Sequence, residues 1–136
     1  MKTLFYITLN LFLFLNLNAQ EQTTLTISFE GISEQQGELF IGIYQKGNCL
    51  RQPATGKMIA AQGETGDVTY EDLAYGEYAV SVFHDLNGNQ QFDMDEYGAP
   101  AEPWVMSGNV NPNAMPVFED AKIHLKEETQ SLTLSF

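Results

Sequence analysis

The chain holds one cysteine, Cys49, so no internal disulfide can staple it. With no second thiol or obvious activating partner nearby, Cys49 reads as a packed or idle side chain. Basic residues are also scarce: six Lys and Arg stand against 18 Asp and Glu. That balance repels nucleic acid and anionic membrane, and it suits either plain solubility or the binding of cations. Helical patterning is missing too. No window of about eleven residues repeats its apolar positions at three- and four-residue spacing. Past residue 19, no segment approaches the roughly 20 consecutive apolar residues that a spanning helix needs.

The apolar run that does exist lies at the start. "MKTLFYITLNLFLFLNLNAQ" has Lys2, an apolar stretch from Leu4 to Leu17 and a small residue at Ala19. This is the pattern of a secretory signal peptide over residues 1–19, cut after Ala19. No cysteine stands at the cut, so a lipoprotein anchor lacks its attachment atom. The expectation is a secreted or periplasmic protein with no transmembrane segment after cleavage. Residues 20–136 are then one domain, long enough to bury a core of its own.

Within that domain, period two dominates, as it must where successive side chains of a strand leave on opposite faces. Leu25, Ile27 and Phe29 alternate with Thr26, Ser28 and Glu30; Leu39, Ile41 and Ile43 alternate with Phe40, Gly42 and Tyr44. Residues 57–62 and Val68 to Leu73 are shorter candidates. "GEYAVSVFHD" is the strongest strand, placing Tyr78, Val80, Val82 and His84 on one side. Ala121, Ile123 and Leu125, then Leu132, Leu134 and Phe136, close the domain. Short strands separated by Gly and Pro predict an all-β, Greek-key sandwich of about seven strands, Ig-like or transthyretin-like, with one long loop from Asp85 to about Pro116. Leu73, Gly76 and Tyr78 suggest a tyrosine corner, in which the hydroxyl bonds backbone upstream.

The long loop carries the chemistry. "HDLNGNQQFDMDEYGAP" runs from His84 to Pro100. Counting Asp85 as the first position, oxygen donors fall at 1 (Asp85), 3 (Asn87), 5 (Asn89), 9 (Asp93) and 12 (Glu96), with Gln91 at 7 offering its carbonyl. This is the ligand spacing of the twelve-residue calcium loop, and hard oxygen ligands without thiolate favour Ca²⁺ over zinc or copper. The loop departs from an EF-hand in two ways: Gln90 occupies the sixth position, where glycine makes the sharp turn, and the segment entering the loop is a strand. A ligand charge of about −3 points to the weak extracellular class of calcium sites. Asn, Asp and Gly also order loops through bonds to their own backbone, so a metal-free polar turn is the competing reading.

Three neighbours are possible accessories: His84, Asp95 and Glu102. His84 lies on the face of Val80 and Val82 and is expected to pack inward, whereas His124 faces away from the core. Asp95 is placed to help or replace Glu96. Farther on, Trp104, Met106 and Phe118 sit among Pro100, Pro103, Pro112 and Pro116. The expected arrangement is a lid over one end of the sandwich; the other is an exposed platform for a sugar, peptide or protein.

"LAYGEYAVSVFHDLNGNQQFD", followed by "YGAPAEPWVMSGN" and "FEDAKIHL", resembles small secreted bacterial proteins of domain-of-unknown-function family 2141. The similarity covers most of the chain after the leader and departs at Pro103, Val105 and Met106. It implies an exported β-sandwich with emphasis on His84, Asp85, Asn87, Asn89 and Asp93, and it names no substrate. The first functional expectation is a non-enzymatic module with a calcium-binding loop that engages an extracytoplasmic ligand, glycan or protein. A metal-assisted hydrolase centred on His84 and a metal-free structural envelope protein are the alternatives.

Overall fold

A computed structural model describes residues 20–136. The expected signal segment, 1–19, lies outside the described residues. The chain forms β1 (Gln22–Glu30), β2 (Glu38–Tyr44), β3 (Thr55–Ala60), β4 (Thr65–Ala74), β5 (Gly76–Asp85), β6 (Trp104–Met106), the four-residue helix α1 (Phe118–Ala121), β7 (Lys122–Leu125) and β8 (Thr129–Ser135). Two sheets result. One has the order β4, β1, β8; the other runs β3, β2, β5, β6, with β7 also on β5. The protein is an all-β sandwich.

The alternating strands decide which faces meet. Leu25, Ile27 and Phe29 of β1, Leu39, Ile41 and Ile43 of β2, and Val80 and Val82 of β5 are all buried in one core between the sheets. Val68, Tyr70, Tyr78, Leu125 and Leu134 join them. Each such side chain contributes about 1.5–3 kcal/mol when taken fully out of water. The tyrosine corner is present, with the Tyr78 hydroxyl donating to the Ala74 carbonyl at 3.0 Å. β1 pairs in parallel with β8 and antiparallel with β4. That parallel contact joins the two ends of the domain.

Trp104 to Met106, expected to cover one end of the sandwich, instead form a short strand against Ser81 to Phe83. Three residues are too few to show a period, and the flanking prolines mask the pattern. The proline before it does not break the ladder, because Pro103 supplies its carbonyl to the His84 amide at 2.8 Å.

The five-stranded sheet buries part of its outer face as well. Ala79, Met106, Phe118 and Ala121 form a second cluster there, with half-buried Tyr44, Cys49, Trp104 and Val110 around it. Burial pushes the Cys49 thiol up, consistent with a packed side chain. Ser107 ties the covering segment down: its hydroxyl donates to the Ala121 carbonyl at 2.5 Å and accepts the Val80 amide at 2.8 Å. Glu119 braces the same segment from outside, 2.6 Å from Lys46 and 2.9 Å from Lys122. The hydrogen bonds from Lys46 and then Lys122 pull its carboxyl down to about 2. Among the described residues, no helix is long and apolar enough to cross a membrane.

Candidate functional site

Strand β5 delivers the long loop. Because neighbours on a strand point to opposite faces, His84 and Asp85 part company at its end. His84 follows Val80 and Val82 inward. It is 1% exposed, its Nε2 lies 2.6 Å from the Gln36 carbonyl oxygen, and its ring meets Phe136 edge-on. Asp85 leaves on the outer side and is fully buried beneath the loop it starts.

The Asp85 carboxylate organises the first turn. Oδ1 accepts the Gly88 amide and Oδ2 the Gln90 amide, both at 2.8 Å. Asn87 and Asn89 continue inward-curling turns, their Oδ1 atoms accepting the amides of Asn89 and Gln91 at 2.9 Å each. Their amide nitrogens then meet at one atom: Asp93 Oδ2 lies 2.6 Å from Asn87 Nδ2 and 2.8 Å from Asn89 Nδ2. Three of the predicted donors therefore converge. Gln91 follows them as an exposed residue.

Gln90 takes a left-handed conformation, with φ of 61°. This is the sixth position, where a calcium loop uses glycine for its sharp turn. The glycine missing from the sequence is thus replaced by a strained non-glycine residue in the conformation glycine would adopt. Relief of that strain is worth about 1–2 kcal/mol, while the added freedom of glycine in the unfolded chain costs about 0.5–1 kcal/mol. Gln90→Gly should therefore raise stability by about 0.5 kcal/mol, read from the urea midpoint at unchanged m-value; a loss of stability would contradict the assigned backbone.

Glu96 does not join the convergent group. Residues 94–100 fold into their own small hairpin, with Met94 bridged to Pro100. Asp95 caps it, its Oδ1 accepting the amides of Tyr97 and Ala99 at 2.8 and 2.9 Å, and Glu96 stands exposed in its turn. Glu102, in contrast, is 7% exposed and reaches both ends of the loop. Its Oε1 accepts the Leu86 amide at 3.1 Å, and its Oε2 lies 3.5 Å from the Asp93 amide, a long contact. Among the described residues, no group of three or more His, Cys, Asp or Glu side chains is gathered to hold a metal ion. The cluster that forms consists of two amides and one carboxylate, while the buried Asp85 is bound to the Gly88 and Gln90 amides.

No lysine or arginine occurs between Lys57 and Lys122, so Asp85, Asp93, Asp95, Glu96 and Glu102 share a stretch without a basic side chain. An aromatic anchor holds this acidic loop to the sheet. Phe40 and Phe83, opposite each other on β2 and β5, stack with centroids 4.9 Å apart. Phe92 from the loop packs on Phe83 at 5.4 Å and meets Trp104 edge-on at 6.5 Å.

Sequence patterning alone passed over two parts of this outer face. Ser107 is a buried hydroxyl that substitutes for a strand neighbour, which no periodicity announces. The aromatic surface had a signal: β2 is apolar on both faces, with Phe40, Gly42 and Tyr44 opposite the core residues. Both faces of such a strand must be covered. The Tyr44 ring lies across Gly42, where a β-carbon would come within 2.7 Å of it.

Neither the curated proteins nor the solved structures compared with this chain gave a match. A family profile, described as an uncharacterised protein conserved in bacteria, matches residues 27–133, spanning β1 to β8 and the whole of the loop just described. By that match, the chain belongs to domain-of-unknown-function family 2141 (DUF2141).

Proposed function

We propose that this protein is an exported, non-catalytic binding module whose loop 85–96 takes one hard divalent cation, Ca²⁺ in the first instance. The observation that carries the reading is the convergence of Asn87, Asn89 and Asp93 at Asp93 Oδ2, with Gln90 bent left-handed between them. An amide exchanges its oxygen and nitrogen by a half-turn, so the same three side chains can offer oxygens to a cation. That turn gives up four bonds, two from backbone amides and two to Asp93 Oδ2, which a divalent ion would have to outweigh. Asp85 supplies charge beside the cluster, and Gln91 its carbonyl. Glu96, held in the separate hairpin, is the weakest member of the expected set, and Glu102 is the buried carboxylate closer to the loop's two ends.

Few charged ligands and several loop-internal bonds favour an affinity in the weak extracellular range, with dissociation constants of about 10⁻⁴ to 10⁻³ M. The ion's role is to stiffen the loop and hold Phe92 on the sheet. The metal-assisted hydrolase has less support, because His84 is turned into the core with its Nε2 engaged by Gln36.

The test is thermal unfolding of chelator-treated protein with added Ca²⁺. At ten times the dissociation constant, binding to the folded state adds about 1.4 kcal/mol, or about 5 °C in Tm for a domain of this size. Asp93→Ala should remove the increase. An unchanged Tm of the native protein at tens of millimolar Ca²⁺ overturns the reading and leaves the loop as a self-bonded polar turn.

A further inference from the structure

Between the loop from Leu86 to Pro103 and the segment from Ser107 to Val117, the outer face of the five-stranded sheet stays open. A groove of about 630 Å³ lies there, walled chiefly by Tyr44, Phe83, Phe92, Tyr97, Trp104 and Met115. Its size falls in the range of about 300–1,000 Å³ typical of small-ligand sites. Tyr97 is 86% exposed and Met115 78% exposed at its rim, so apolar area remains to be covered. Among the described residues that line it, none carries a charge; Ser81 and Asn113 are its polar side chains besides the tyrosine hydroxyls and the indole.

We propose that this groove is a binding site for a methylated ammonium group, such as a quaternary amine. Charge decides the class of ligand. An anionic ligand would find no counter-ion in the lining and would enter the field of a chain with 18 acidic and six basic residues. At the rim, Asp95 and Glu96 lie between the lining residues Met94 and Tyr97. Near the lining residues Tyr44 and Leu50 in sequence, Lys46 is held by Glu119 at 2.6 Å, leaving Arg51 as the basic neighbour. The balance favours a cation. A small inorganic cation or a primary ammonium holds its water tightly and needs more oxygen ligands than Ser81, Asn113 and the two tyrosine hydroxyls supply. Methyl groups change that, because they spread the charge, weaken hydration and bring apolar area to be buried. Ring faces are the electronegative part of an aromatic side chain, and methylated ammonium ligands are recognised in aromatic cages for this reason. The proposal does not rest on the cation loop. Tyr44, Phe83 and Trp104 stand on strands, and only Phe92 and the 94–100 hairpin come from the loop region.

The protein carries its own reporter, since Trp104 is the single tryptophan. Choline and its uncharged isostere 3,3-dimethylbutan-1-ol should be titrated into the full folded domain, with Trp104 fluorescence followed in Ca²⁺ and in chelator. Saturation-transfer NMR on the ligand methyl protons gives a readout independent of the indole. The expected result is saturable choline binding about tenfold tighter than that of the isostere, the ratio a desolvated cation–π contact supports. Tyr97→Ala, at an exposed site, should weaken choline several-fold while leaving the unfolding midpoint in place. Equal affinity for the isostere would make the groove a merely apolar surface and overturn the proposal. So would choline binding unaffected by Tyr97→Ala, or no saturable signal from either readout at tens of millimolar. Loss of the Ca²⁺ response with retained choline binding would strike only the cation-loop reading.

Discussion

Gly37→Ala should lower the unfolding free energy by about 4 kcal/mol, among the largest effects expected of a single methyl group in this protein. Two terms add. Gly37 has a φ of +77°, where an alanine is strained by about 1–2 kcal/mol. Its β-carbon would also lie 2.2 Å from the Asp85 carbonyl oxygen and 3.3 Å from the Leu86 α-carbon, both backbone atoms that no rotamer change can move. Relief requires the turn before β2 to separate from the end of β5. That separation would loosen the contact of His84 with the Gln36 carbonyl and displace the residue that begins the loop. Urea unfolding should show the midpoint falling, and the Ca²⁺ response of the same variant should weaken. A variant within about 1 kcal/mol of the native protein would mean that the two backbones do not approach this closely. Gly108, with a φ of +77° and a β-carbon that would lie 2.1 Å from the Asp120 carbonyl oxygen, is under the same two constraints.

The second large effect is expected at Asp85. Its carboxylate is fully buried and accepts two backbone amides, each bond charge-assisted. Asp85→Ala deletes both acceptors and strands the Gly88 and Gln90 amides. These amides lie at the surface and recover some water, so the loss is about 3 kcal/mol rather than the full sum for two buried donors. Asp85→Asn keeps one acceptor oxygen and should lose about half as much. The pair separates architecture from ligation. If Asp85 only caps the loop, Asn restores about half of the lost stability and keeps the native Ca²⁺ response. If it also serves a cation, Asn refolds the loop yet weakens the Ca²⁺ response. Stability of Asp85→Ala within about 0.5 kcal/mol of the native protein would contradict the capping role, as surface changes have effects of that size.

What ties these expectations together is the position of the loop rather than its composition. Asp85 anchors it from below, Phe92 pins it against Phe83 and Trp104, and Glu102 reaches the backbone at Leu86 and Asp93. A cation at Asn87, Asn89 and Asp93 would tighten a loop already held at three points. Phe92 belongs both to that loop and to the groove beside it. Stiffening one would therefore narrow the freedom of the other, without either site depending on the other to form.

Local pattern was enough for the sandwich itself. Period two along β1, β2 and β5 fixes which side chains enter the core, because only one face of each strand can be turned from water. The corner tyrosine and the inward His84 follow from the same alternation, and the donor spacing from Asp85 to Asp93 is visible residue by residue. Tertiary structure decided the rest. It buried Asp85 beneath the loop, drew Glu96 away into the hairpin of residues 94–100 and brought in Glu102. It also paired β1 with β8 in parallel and opened an aromatic groove from Tyr44, Phe83, Trp104 and Met115. Those side chains come from segments up to 71 positions apart (Tyr44 to Met115), and their meeting depends on how β2, β5 and β6 register in one sheet. Alternation is a property of each strand alone, whereas convergence is a property of the packed whole.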